Sequence, residues 1–124
     1  MADVTVRTID EMESYEGAGV PRGQFVYAGR SLGVTSLGMN VLNLPPGWKD
    51  YPEHDHAADG QEEVYVVLKG RATIEAGGTI WPLEPGTLVR VGPTQKRKIH
   101  PGPEGVTILA LGGVPGKAYE PRRK

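Results

Sequence analysis

Glycine and proline punctuate this chain so closely that a long helix has nowhere to form. The 18 glycines and 11 prolines recur at regular intervals, and the runs between them are short and apolar. Proline removes a backbone donor and glycine weakens a helix interior, so this spacing favours short strands joined by tight turns. The expected class is all-β, a single small barrel or sandwich. At 124 residues the chain is the size of one domain with one modest core. The absence of cysteine excludes disulfides, thiolate catalysis and cysteine-based metal sites, and fits a reducing compartment. A net charge of −1 leaves no electrostatic footprint for nucleic acid or an anionic membrane. The first residues lack a basic start followed by an apolar stretch, and no run approaches the ~20 apolar residues of a membrane span. The expected setting is the cytoplasm.

In chain order, residues 4–7 alternate and read as an edge strand. Residues 9–15 have helical spacing for a turn or two. Residues 24–28 read as a strand ended by Gly29, and residues 31–36 are ambiguous. Residues 39–44 read as a strand stopped by Pro45-Pro46-Gly47. Residues 63–68 form the clearest strand, ended by Gly70. Glu63, Tyr65 and Val67 share one face of it, and Val64, Val66 and Leu68 the other. Both faces are apolar, so both are expected to be covered, the outer one by N-terminal strands or by a second subunit. A homodimer is therefore expected.

Residues 71–75 and 79–83 flank a Gly77-Gly78 hairpin turn. Pro85-Gly86 leads into residues 87–91, and Gly92-Pro93-Thr94 into residues 95–100. A loop over residues 101–105 precedes a last strand at 106–111. That makes about eight or nine short strands. The tail ends in Arg122-Arg123-Lys124, read as solvated.

Residues 47–70 carry the chemistry. His54 and His56 are one residue apart, so in an extended segment they share a face. Glu62 and Glu63 open the next strand. Two imidazoles and one carboxylate converging on a point would make a divalent-metal site of mixed nitrogen and oxygen donors. Histidines so spaced are also common surface residues, and Asp55 and Asp59 read as loop acids. Strand alternation turns Arg97 inward between outward Lys96 and Lys98, and leaves His100 exposed. Trp48, Tyr51 and Trp81 either rim a pocket or cover a barrel end.

These residues resemble a small single-domain cupin. That family's first motif runs Gly, His-x-His, Glu, Gly, matched here by Gly47, His54, His56, Glu63 and Gly70. Its second motif opens with proline and glycine, matched by Pro85-Gly86 and residues 87–91. The resemblance spans roughly residues 37–111. It implies a jelly-roll β-barrel core at 37–111, with 1–36 an N-terminal extension packed on it and 112–124 a tail. It also implies a divalent metal (Fe, Mn, Ni or Zn) held by His54, His56 and Glu63.

Two departures stand out. The gap between His56 and Glu63 is longer than usual, through Ala57-Ala58-Asp59-Gly60; Glu62 would shorten it but should point the other way. The position of the second-motif histidine falls on Arg97, which cannot ligate a metal because its guanidinium stays protonated. Arg97 would then either pair with Glu63 or orient an anionic ligand. Arg97, Tyr65 and Gln61 are the candidates for ligand contact. Two functions follow. One is a metal-dependent cupin acting on a small polar or anionic molecule, as an oxygenase or isomerase. The other is a non-catalytic ligand-binding barrel in which Arg97 replaces the fourth metal ligand.

Overall fold

Residues 2–17 and 19–120 are described in a computed structural model, so the basic end at 122–124 lies outside the described residues. Within them, six strands form one sheet in which every pairing is antiparallel. They are β1 (Phe25–Val26), β2 (Gly38–Leu44), β3 (Glu62–Ala76), β4 (Thr79–Leu83), β5 (Leu88–Val91) and β6 (Lys98–Gly113). A five-residue helix α1 (Ala28–Leu32) and a 3-10 turn (Ile9–Glu11) precede β2. No helix among the described residues is long and apolar enough to cross a membrane.

The spine is the long antiparallel pair β3 and β6. The sequence suggests two strands in each, broken at Gly70 and at residues 101–105. The structure carries both strands through those breaks as bulges, with register shifts between Val67 and Lys69 and between Gly70 and Ala72. Gly70 shows why. Its φ is +78°, and a Cβ there would lie 2.2 Å from the Gly105 carbonyl oxygen. Only glycine takes that conformation at so close an approach, so the strand bends without ending. These two continuations, together with residues 4–7, which join no ladder, explain why six strands are described rather than eight or nine. The bend gives each half of β3 different neighbours. Residues before Gly70 lie between β5 and the second half of β6; those after it lie between β4 and the first half.

One core fills the interior, with Tyr65, Val67, Ala72 and Ile74 of β3 against Leu42, Leu83, Ile99 and Ile108. A smaller cluster lies on the outer side of β2, where Val26, Ala28 and Val41 meet Met12, Met39 and Leu109. The N-terminal segment thus covers the outer face of β2 and part of β6. The cross-strand row continues from Val41 and Leu109 to Val66 and Leu88, but the cover does not. Val64 and Val66 are half-buried, while Leu68 and Leu88 are 45% and 65% exposed. The expectation that both faces of residues 63–68 are covered holds within one chain only where the N-terminal segment reaches.

Two N-terminal expectations are also corrected. Residues 4–7 form no ladder, and Val4 and Val6 are exposed. The free edge of β1 is taken instead by residues 13–15, through Tyr15 N to Phe25 O and Tyr27 N to Glu13 O, both 2.8 Å. The strand expected over 24–28 stops at Val26 and turns into α1, which ends on left-handed Gly33. A single helical turn is too short to leave a periodicity in the sequence.

Candidate metal centre

His54 and His56 lie on an extended segment between β2 and β3 that is pinned from behind. The backbones of His54 and Arg97 exchange two hydrogen bonds of 3.0 Å, and His56 N donates to Pro93 O at 2.8 Å. Glu63, the second residue of β3, faces inward with Tyr65. The imidazole Nε2 atoms of His56 and His54 lie 3.2 and 3.8 Å from Glu63 Oε1. One potential ligand atom from each of the three lies within 4.8 Å of the others. Glu62, with the opposite parity, pairs with Arg90 away from the imidazoles.

The far sides of both rings are also held. His54 Nδ1 is 3.1 Å from Pro52 O, and a carbonyl can only accept, so Nδ1 carries the proton. His56 Nδ1 meets both carboxylate oxygens of Asp59, at 3.1 and 3.2 Å. Partners of this kind fix tautomer and orientation and turn Nε2 toward the centre. Asp59, which the sequence suggests is a loop acid, is therefore a positioning residue. Gly60 N donates to His56 O at 2.7 Å and folds the loop back, so the residues that lengthen the gap to Glu63 are the ones that deliver Asp59.

Glu63 is the hub. Tyr65 donates to its Oε1 at 2.6 Å and Arg97 Nη2 at 2.7 Å. Arg97 is fully buried, and its other nitrogens donate to the Tyr65 hydroxyl at 3.2 Å and to Gln95 O at 2.7 Å. Burial alone would push the Glu63 carboxyl up, but hydrogen bonds from His54, His56, Tyr65 and Arg97 outweigh it and hold it well below the usual carboxylate range. The Glu63 carboxylate in turn raises His56, with Asp59 adding to the effect. Burial would lower Arg97, but Tyr65 and Glu63 raise it. Burial lifts the Tyr65 hydroxyl and pushes that of Tyr51 up to about 12. Tyr51 is buried beneath His54, ring centroids 5.7 Å apart.

A cavity of about 430 Å³ opens in front of His56 and Glu63. It arises from three inward-facing cross-strand rows whose β2 and β6 side chains shrink toward the site. The rows run Leu42–Ile108–Val67, then Asn40–Ala110–Tyr65, then Gly38–Gly112–Glu63. In the last row two of the three strands carry no side chain, which leaves the space. Gln61 lines this cavity, whereas Tyr65 and Arg97 lie in the buried layer that holds Glu63. Trp48 packs edge-on against Phe25, and Trp81 is 49% exposed. His100 pairs with Glu75 at 3.1 Å and takes no part in the centre.

The donor chemistry fits a divalent ion: two imidazoles with Nδ1 engaged and one ionised carboxylate, which also accepts from Arg97. A small antiparallel barrel with such a set facing its cavity is of the cupin type. The family model for the cupin domain matches residues 40–111, and the chain belongs to that family.

Among solved structures, it is similar to a cupin protein from Bacteroides fragilis, at 23% identity over 90% of this chain and 92% of that one, TM-score 0.66. It is also similar to a sugar phosphate isomerase from a cupin superfamily, from Silicibacter pomeroyi, at 21% identity over 85% and 73%, TM-score 0.69. A putative sugar phosphate isomerase from Acidithiobacillus ferrooxidans matches at 24% identity over 71% and 56%, TM-score 0.61. At these identities the likeness is one of fold. No curated protein matches the chain.

Proposed function

We propose that this cupin binds one divalent metal ion through His54, His56 and Glu63 and presents it to a small polar or anionic molecule entering the cavity. The observation that carries the reading is the paired orientation of the imidazoles. Both Nε2 atoms face Glu63 while Pro52 O and the Asp59 carboxylate hold both Nδ1 atoms. A bound ion of this type supplies Lewis-acid or oxygen-activating chemistry at its open positions, so its identity separates isomerase-type from oxygenase-type activity. The chain's own residues do the rest. Asp59 and Pro52 set the tautomers, Tyr65 and Arg97 hold Glu63 ionised, and the Gln61 amide on the cavity wall offers donors and an acceptor to the ligand.

A second reading has its own support. The 2.7 Å contact between buried Arg97 and Glu63 favours a metal-free barrel in which that pair replaces the ion and the cavity binds a ligand without transforming it. Metal content by mass spectrometry separates the two, on untagged protein purified without added metal or chelator. Near-stoichiometric metal that is lost in His54→Ala supports the first. A parent that is empty and takes up none of Fe(II), Mn, Ni or Zn sinks it. The same proposal includes a homodimer through the uncovered face bearing Leu68 and Leu88, tested by sedimentation equilibrium of the parent and Leu88→Ser.

A further inference from the structure

The cavity does not end at the histidines. Its far wall is built by the N-terminal segment, where Tyr27 and Arg30 line the same space as His56 and Glu63. Arg30 is the only lysine or arginine among the described residues lining it. Its guanidinium lies over the Tyr27 ring, 4.1 Å from the centroid, an arrangement that restrains a long side chain without using its N–H groups. Its ion partner is Glu13 at 3.4 Å, and the two side chains are 41% and 56% exposed. A pair that long and that hydrated contributes little and is readily exchanged for a better-placed anion. Arg97, by contrast, has all three guanidinium nitrogens donating inside the barrel.

We propose that Arg30 is the specificity-determining residue of this cavity, and that the ligand is a small polar molecule carrying one carboxylate or phosphate group bound by Arg30. The proposal rests on the reading above for what meets the ligand's other end. The anion end itself is defined by Arg30 and Tyr27 and does not need the metal. A planar guanidinium suits both oxyanions, because its fork can donate two parallel hydrogen bonds. Polar Asn40 and Gln61 line the same cavity and suit hydroxyl groups of the ligand. At about 430 Å³ the space is at the small end of ordinary ligand pockets.

The test is an NMR titration of the full chain as purified, with its metal content measured beforehand, following the arginine side-chain N–H resonances. Glycerol, glycerate and glycerol 3-phosphate are the probes. Glycerate or glycerol 3-phosphate is expected to shift the Arg30 resonance and saturate, while glycerol does not, and the tighter of the two names the anionic group. Arg30→Gln should weaken that binding roughly 10- to 100-fold, the loss expected for a charged hydrogen bond. Arg30→Lys should restore part of it. Glu13→Gln should tighten it about two- to five-fold by removing the competing partner. Arg30 is exposed, so the metal content and melting temperature of Arg30→Gln should match the parent. Equal binding of glycerol and the anions, no binding of either anion, or unchanged affinity in Arg30→Gln would overturn the proposal. Failure of the metal reading appears separately, as a parent that holds no metal, and leaves the Arg30 comparison readable.

Discussion

Beyond Gly70, the inward face of the β3–β6 ribbon carries Ala72, Ile74 and Ile99, with Leu83 opposite, none more than 7% exposed. Before Gly70 the same face of β3 carries Glu63 and Tyr65, with Arg97 and two imidazoles against them. The half beyond Gly70 is stabilised by removing apolar area from water. The half before it buries charge, which an apolar replacement of similar volume would match or exceed in stability. A barrel needing only to fold could carry the apolar pattern along the whole strand. Holding a carboxylate, a guanidinium and two histidines in one half therefore points to a chemical use for that half.

The sharpest way to break this contrast is to remove one charge. Glu63→Ala leaves Arg97 buried without its carboxylate, so the metal-free variant should be roughly 3–5 kcal/mol less stable than the metal-free parent in urea denaturation, and the variant as purified should hold no metal. Ile74→Ala should cost about 2–5 kcal/mol but leave metal content unchanged. Equal metal loss in both variants would mean that the halves are not separate.

Replacing the pair together sharpens the point. Glu63→Leu with Arg97→Met should return to within about 2 kcal/mol of the parent, since no buried charge is left alone. Failure to recover would show that the pair is worth more than its apolar equivalent.

Next in size is Asp59→Ala. It should lower metal affinity about 10- to 100-fold with little change in melting temperature, because Asp59 acts by orienting His56. A large loss of stability without loss of affinity would make Asp59 merely structural.

The smallest effect is in the pH profile of the chelator-treated protein. The Glu63 carboxyl is held low in the folded state. Its contribution is complete above the usual glutamate range, about 4.3, and is lost as pH falls. His56 is raised. Its contribution is complete below about 6.5 and is lost as pH rises through its folded value. Thermal melts across pH should show both limbs in the parent, no Glu63 limb and a weakened His56 limb in Glu63→Gln, where Asp59 still faces His56, and both, on a lower curve, in Ile74→Ala.

Much of this was legible in the chain. Strand alternation turned Glu63, Tyr65 and Arg97 inward and sent Lys96, His100 and Glu62 elsewhere. Parity is a local property of an extended backbone and needs no knowledge of neighbours. The spacing of His54, His56, Glu63 and Gly70 likewise brought the three donors into one reading. Gly70 reads from the sequence as a strand end, because a glycine that ends a strand and one that bends it look alike until the Gly105 carbonyl behind it is known. Asp59 reads as a loop acid, although an acid three residues after a candidate ligand is a usable signal.

The sequence by itself determined the all-β class and which face each of these side chains takes, because both follow from local punctuation and a two-residue period. Tertiary structure alone decided that Gly38 and Gly112 lie across from Glu63 and empty the space before it, that Asp59 folds back onto His56, and that Arg30 reaches the same cavity. Those meetings depend on register between strands far apart in sequence, set by bulges and long-range pairing that no local pattern encodes.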